Sequence, residues 1–220
     1  MKKVCLAASL ILASSAFASF ASASPSVTIW TSAGLNSTFP GVVEYGFDNL
    51  TASFNPISAG LNLGSLGTVT STHSTLILDP ALSGGSGAEP ATDMSNYLSV
   101  MGGGSTTLTL SHANNLYFGL FWGSMDTYNT ISFTLQNGDV YSTTPASIPS
   151  PANGNQSSPS TNEYVNFLFT DPIASVTFQS NSNSFELDNI SASAVPEPAT
   201  MALFGIGLAG LAGLGLKRRA

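Results

Sequence analysis

Two stretches of the chain alternate apolar and polar residues at the period of a β-strand: Val165, Phe167 and Phe169 in one, Ile131, Phe133 and Leu135 in the other. Thr, Val, Ile, Phe and Tyr fill these runs, while Gly, Asn, Pro and Ser punctuate them, the usage expected of pleated strands and their turns. A third run, 116–122 (Leu-Tyr-Phe-Gly-Leu-Phe-Trp), is apolar on both faces and predicts a central strand buried on both sides. Asn137-Gly138, between 131–135 and 140–141, predicts a hairpin closed by a type I′ turn, which needs positive φ at both central positions. No amphipathic helix is predicted between the two ends. About ten to twelve candidate strands can be counted, the content of a two-sheet β-sandwich.

Two segments read as loops. Residues 83–90 (Ser-Gly-Gly-Ser-Gly-Ala-Glu-Pro) are flexible by composition, and 144–160 carry Pro145, Pro149, Pro151 and Pro159 among Ser, Asn and Gly. Either one can border a site or be ornament. Phe47-Asp48-Asn49-Leu50 echoes Leu187-Asp188-Asn189-Ile190, which we read as coincidence or as two similar edge strands rather than an internal repeat.

Both ends depart from this pattern. Lys2 and Lys3 precede an apolar stretch beginning at Val4, and Ala21-Ser22-Ala23 closes it with the small-x-small pattern a signal peptidase accepts. A signal peptide over 1–23 is predicted, with cleavage after Ala23. The single cysteine, Cys5, falls inside it, so the exported chain has no disulfide, no thiolate zinc ligand and no cysteine nucleophile. At the other end, 199–216 hold no charge and are followed by Lys217, Arg218 and Arg219. A helix of that length spans about 27 Å, close to the hydrocarbon thickness of a bilayer. The basic cluster acts as a topology stop that keeps this end cytoplasmic and everything upstream outside.

Charge sharpens the picture. All five basic residues lie in these two terminal segments, and the stretch between them carries all twelve carboxylates. Such a domain is repelled by phosphate backbones and anionic head groups, which excludes nucleic acid as a partner.

Val195-Pro196-Glu197-Pro198-Ala199 stands directly before the apolar span. A Pro-Glu-Pro triplet, a Gly/Leu-rich span and a short basic end, in that order at the C-terminus, resemble the PEP-CTERM sorting signal. The resemblance implies recognition of Pro196, Glu197 and Pro198 by an exosortase, a membrane-embedded cysteine protease of bacteria that make exopolysaccharide. The physics agrees with a processing site, because two prolines one residue apart cannot enter a helix or a central strand. Residues 117–129 resemble a segment recurring in some exosortase-dependent surface proteins, and Phe185-Glu186-Leu187-Asp188-Asn189-Ile190 resembles the closing strand of galactose-binding-like jelly rolls.

Candidate chemistry is sparse. His73 and His112 are the only imidazoles, with no His-Glu-x-x-His pattern and no Gly-x-Ser-x-Gly elbow. Carboxylates for glycoside hydrolysis would have to come from Asp126, Asp139, Glu163 or Asp188, whose spacing identifies no pair. No enzyme is expected. Calcium is the one cofactor the composition favours, through Asp126 with Asn129 and Asp188 with Asn189; the competing reading is that these side chains cap turns. For sugar recognition the aromatic candidates are Trp30, Tyr128 and Tyr141, whereas Trp122 sits in the most apolar run and reads as core.

The expectation is therefore an all-β, jelly-roll-like sandwich over 24–194, preceded by a signal peptide and followed by a sorting signal and transmembrane helix over 195–220. Its partners would be signal peptidase, exosortase and exopolysaccharide, its destination the cell surface or extracellular matrix of a bacterium, reached by way of the inner membrane. A non-catalytic matrix role and a carbohydrate-binding module, with or without calcium, both remain open.

Overall fold

Thr, Val and aromatic runs broken by Gly and Ser give twelve strands among the residues that the computed structural model describes, 25–57, 60–71, 75–83 and 87–193. In chain order they are β1 (Val27–Ser32), β2 (Val43–Tyr45), β3 (Leu61–Asn62), β4 (Gly67–Ser71), β5 (Thr75–Leu78) and β6 (Tyr97–Val100), then β7 (Gly104–Leu110), β8 (Asn115–Gly123), β9 (Asn129–Leu135), β10 (Val140–Thr143), β11 (Glu163–Ser180) and β12 (Phe185–Ser193). Two short 3₁₀ turns, Pro145–Ser147 and Pro159–Thr161, are the helical elements among the described residues, none of which form a helix long and apolar enough to cross a membrane. The signal peptide 1–23 with Ala21 and Ala23, the 196–198 motif, the 199–216 span and the basic residues 217–219 lie outside the described residues.

The strands form one curled antiparallel sheet in the order β3-β4-β7-β11-β8-β12-β6-β5, with β1, β2, β9 and β10 branching from it. β11 is the joint. Its first part pairs with β1 and β8, and its last part with β7 and β9. The register slips between Ile173 and Ser175, next to Pro172, which can occupy a strand only at an edge or a bulge. The curl lets residues from both arms share one core: Phe133 on β9 lies 4.8 Å from Phe167 and 4.8 Å from Phe169 on β11, and 5.7 Å from Phe118 on β8, between ring centroids.

The alternation in β9 and β11 is realised: Ile131, Phe133 and Leu135, with Val165, Phe167 and Phe169, are buried in that core. β8 is central, paired with β11 and β12, and buried on both faces as its run of apolar residues predicts. Phe118, Leu120 and Trp122 face the core. On the opposite face Tyr117 stacks on Phe39 at 4.0 Å, and Gly123 lies against Pro90.

Two expectations change in detail. The β9–β10 hairpin is present, but its turn is not type I′. Gly138 N–H donates to the Leu135 carbonyl at 3.0 Å and Leu135 N–H to the Asp139 carbonyl at 2.9 Å. Only Gly138 takes positive φ (89°), and Asn137 does not. This is a three-residue loop ending in a glycine bulge, and the Asn137 side chain accepts from Asp139 N–H instead of supplying a left-handed backbone. The echoed tetrapeptides are not two edge strands either. Residues 187–190 lie in β12, flanked by β8 on one side and by β6 and β2 on the other, and 47–50 form a turn. They meet in space, because Phe47 N–H donates to Asp188 Oδ1 at 3.2 Å.

Candidate functional site

β12 is the last described strand, and the candidate sorting signal follows it in the sequence. β12 runs to Ser193, whose neighbours are Tyr117 on β8 and, one residue back, Val43 on β2. Only Ala194 and Val195 separate it from Pro196, a reach of about 10 Å at full extension. In the sequence, the Pro-Glu-Pro triplet thus begins three residues after the end of a strand paired on both sides.

A second feature lies at the loops. Both predicted loop segments line one polar cavity of about 450 Å³: Gly87, Ala88 and Glu89 from the first, Gln156 and Ser157 from the second, together with Ser124, Asp126, Tyr128, Asn183, Ser184 and Glu186. Glu186 is 2 % exposed. Its Oε1 accepts from Ala88 N–H at 3.0 Å and from the Ser184 hydroxyl, its Oε2 from the Ser124 hydroxyl at 2.9 Å. Burial pushes its carboxyl above the ordinary value, and these hydrogen bonds offset part of that. Glu89 is raised as well, first by burial and then by the charge of Asp93, and its Oε1 is a buried oxygen with no hydrogen-bond partner. Tyr128 donates to Asp126 Oδ2 at 2.5 Å and to the Asn183 carbonyl at 2.7 Å. Burial and then the Asp126 carboxylate hold its phenol above the usual range.

The four residues singled out for calcium fall at two places. Asp126 and Asn129 are joined, Asp126 N–H donating to Asn129 Oδ1 at 3.1 Å. The Asn129 amide is committed to Ser180 Oγ and the Ser184 carbonyl, each at 3.0 Å, so Asn129 ties the start of β9 to the β11–β12 turn. Asp126 faces the cavity, and a Cβ on Gly154 would lie 2.3 Å from its Oδ1. That close approach, with a φ of 63°, is why residue 154 is glycine.

Asp188 and Asn189 sit on β12, where the register slips against β8. Around Gly46, a Cβ position would be 2.8 Å from Asn189 Oδ1, 3.6 Å from Asp188 Oδ1 and 3.7 Å from Asp48 Oδ2. Asp93 packs beside them: the Ser95 hydroxyl donates to Asp93 Oδ1 at 2.5 Å and to Asp188 Oδ2 at 3.1 Å. Asp188 is pushed up to about 8, first by burial and then by its hydrogen bond and charge contact with Asp93. Among the described residues no three His, Cys, Asp or Glu side chains gather as metal ligands.

The other candidates scatter. Asp139 sits at the β9–β10 turn with Asn137, and Glu163 accepts from the Ser150 hydroxyl at 2.7 Å. His112 is exposed, and His73 lies outside the described residues. Trp122 is wholly buried, stacked on Phe185 at 4.3 Å. Trp30 is half-buried against Phe39 and Tyr117, and Tyr141 packs on Phe169. Sequence reasoning missed Glu89, Asp93 and Glu186. The alternation of Phe185-Glu186-Leu187-Asp188 places both acids on the face away from the core, and only the loops folded over that face bury them.

Fold and chain end together define a class: an acidic, antiparallel β domain followed at its last strand by a C-terminal export-sorting signal. The signal itself is specific. Residues 194–219 match the PEP-CTERM protein-sorting motif, which marks the chain as an exosortase substrate directed through the membrane to the surface. No curated protein matches the chain.

Proposed function

We propose that the protein is an exported, exosortase-processed, non-catalytic component of a bacterial surface or extracellular matrix, associated with exopolysaccharide. The observation that carries this reading is the sorting motif over 194–219, directly after β12. In it, signal peptidase removes 1–23, the 199–216 helix holds the chain briefly in the inner membrane with Lys217, Arg218 and Arg219 inside, and exosortase acts at Pro196, Glu197 and Pro198. We read the curled sheet as sandwich-like, with β11 passing from one face to the other. Intact masses from the native host and from an exosortase-deficient strain test the reading. Loss of both ends in the host, with the tail kept in the mutant, is expected; a tail retained in both strains makes 195–220 an ordinary anchor and overturns it.

A second reading, a carbohydrate-binding module stabilised by calcium, is favoured by the oxygens of Asp48, Asp188 and Asn189 around Gly46. It expects millimolar calcium to raise the melting temperature and a chelator to reverse the rise, with Asp188→Asn removing the response. An unchanged melting temperature removes calcium from this reading and leaves a carbohydrate-binding module without it.

A further inference from the structure

Apart from Gly87 and Ala88, the cavity between the two loops is lined by acids, hydroxyls and amides. Glu89, Asp126 and Glu186 line it, and no Lys or Arg occurs between Lys3 and Lys217 to compensate them. Carboxylates withdrawn from water without a counter-cation are costly, and a bound positive charge relieves that cost. An anionic ligand would aggravate it. The buried Glu89 Oε1 already lacks a donor, and an ammonium group brings three. Gln156, Ser157 and Tyr128 in the remaining lining bring a side-chain amide, a hydroxyl and an aromatic ring, residue types that suit a hydroxyl-rich ring. A volume of about 450 Å³ lies within the range of small-molecule sites.

We propose that this cavity binds a hydroxyl-rich ligand carrying a protonated amine, of the amino-sugar class, with the ammonium placed at Glu89, Asp126 and Glu186. This deepens the polymer-associated reading above by naming the sugar chemistry, and it rests on that reading for its biological meaning. The binding itself is independent of sorting, so the two can fail separately. Glu186 acts mainly as the fixed floor, since its oxygens are already held by Ser124, Ser184 and Ala88. Asp126 is held in place by the Tyr128 hydroxyl on Oδ2 and by Gly154 packed against it, so Glu89, whose Oε1 has no partner, is the group able to turn toward the ligand.

The test is calorimetric titration of the exported protein, purified from its host, with glucosamine oligomers and with their fully N-acetylated counterparts. The acetylated oligomer keeps the hydroxyls and removes the charge. The glucosamine oligomer is expected to bind at least about tenfold more tightly, the size of one charge-assisted hydrogen bond. Glu89→Gln should weaken it about tenfold. Glu89 Oε1 holds no hydrogen bond to be lost in that variant, and a melting temperature equal to that of the parent is the check that it folds. Asp171→Asn, which removes one charge outside the cavity lining, is expected to change affinity less than twofold. Equal affinity for both oligomers, or no binding of either, overturns the proposal. So does an equal loss in Glu89→Gln and Asp171→Asn, which would mean diffuse attraction to an acidic protein.

Discussion

A Cβ built on Gly119 would lie 2.5 Å from the Tyr117 hydroxyl and 2.6 Å from Cε1 of Tyr164. Both tyrosines are fully buried and fixed, Tyr117 donating to Asn166 Oδ1 at 2.7 Å and Tyr164 bonded to the Ser191 hydroxyl at 2.6 Å. Neither ring can retreat, so Gly119→Ala should cost about 1–3 kcal/mol, a fall in melting temperature of roughly 3–10 °C; an unchanged value would mean the two rings reposition freely. Asp188 gives a residue-level pH dependence. Its folded pKa, about 8, lies well above the ordinary aspartate value of about 3.9, so between these limits the folded state holds a proton that the unfolded chain has released. Stability then falls as pH rises through that window, by up to about 1.4 kcal/mol per pH unit, and levels off above it. Glu186 and Glu89 are shifted in the same direction. Urea midpoints at pH 5, 6.5 and 8 should therefore decrease in that order, and Asp188→Asn should flatten the slope. A midpoint that rises with pH would contradict the assignment.

Among the strands, β9 shows most plainly how pattern becomes packing. Its Ile131, Phe133 and Leu135 enter the core while Thr130, Ser132 and Thr134 stay half-exposed, and Phe133 touches rings from β8, β10 and β11. Phe133→Ala should cost about 3–5 kcal/mol, read as a lower urea midpoint; a loss below about 1 kcal/mol would mean that the arms are not joined through this ring. Strands of this kind were legible because one face is dry and the other wet. So was β8, whose Leu-Tyr-Phe-Gly-Leu-Phe-Trp run fits only a strand covered on both faces. β11 was legible only in its first half. Thr170, Asp171 and Pro172 look like a strand end, yet the chain carries on through a bulge because Leu135 and Thr134 of β9 pair with Ile173 and Ser175 beyond it. A pairing partner distant in sequence decides that, and local pattern cannot report it. The carboxylate cavity was hidden for the same kind of reason. Glu186 reads as a solvent-facing strand residue, and only the docking of Ala88 and Ser124 against it shows otherwise. Asp126 was visible through the turn chemistry of Asp126-Thr127-Tyr128-Asn129. Glu89, in a Gly/Ser loop, carried no such signal.

Over the whole molecule the decisive quantity is the separation of charge along the chain. Five basic residues sit at the two ends, and twelve carboxylates lie between them. Once both ends are removed, the domain holds acids alone, and every pair of its surface charges repels. That repulsion opposes the compact state more than the expanded one. Salt should therefore stabilise the exported form. Raising sodium chloride from 10 to 150 mM shortens the screening length from about 30 to about 8 Å, which suppresses repulsion between carboxylates on different strands. A melting temperature higher by roughly a few degrees at the upper concentration is expected at pH 7, measured on protein from the native host whose mass shows both ends gone. The unprocessed chain from an exosortase-deficient strain keeps Lys217, Arg218 and Arg219 and should respond less. If salt lowers the melting temperature of the processed form, attractive ion pairs dominate its surface. A domain without Lys or Arg could form such pairs only with cations taken up from solution, and the search would then turn to the oxygens around Gly46.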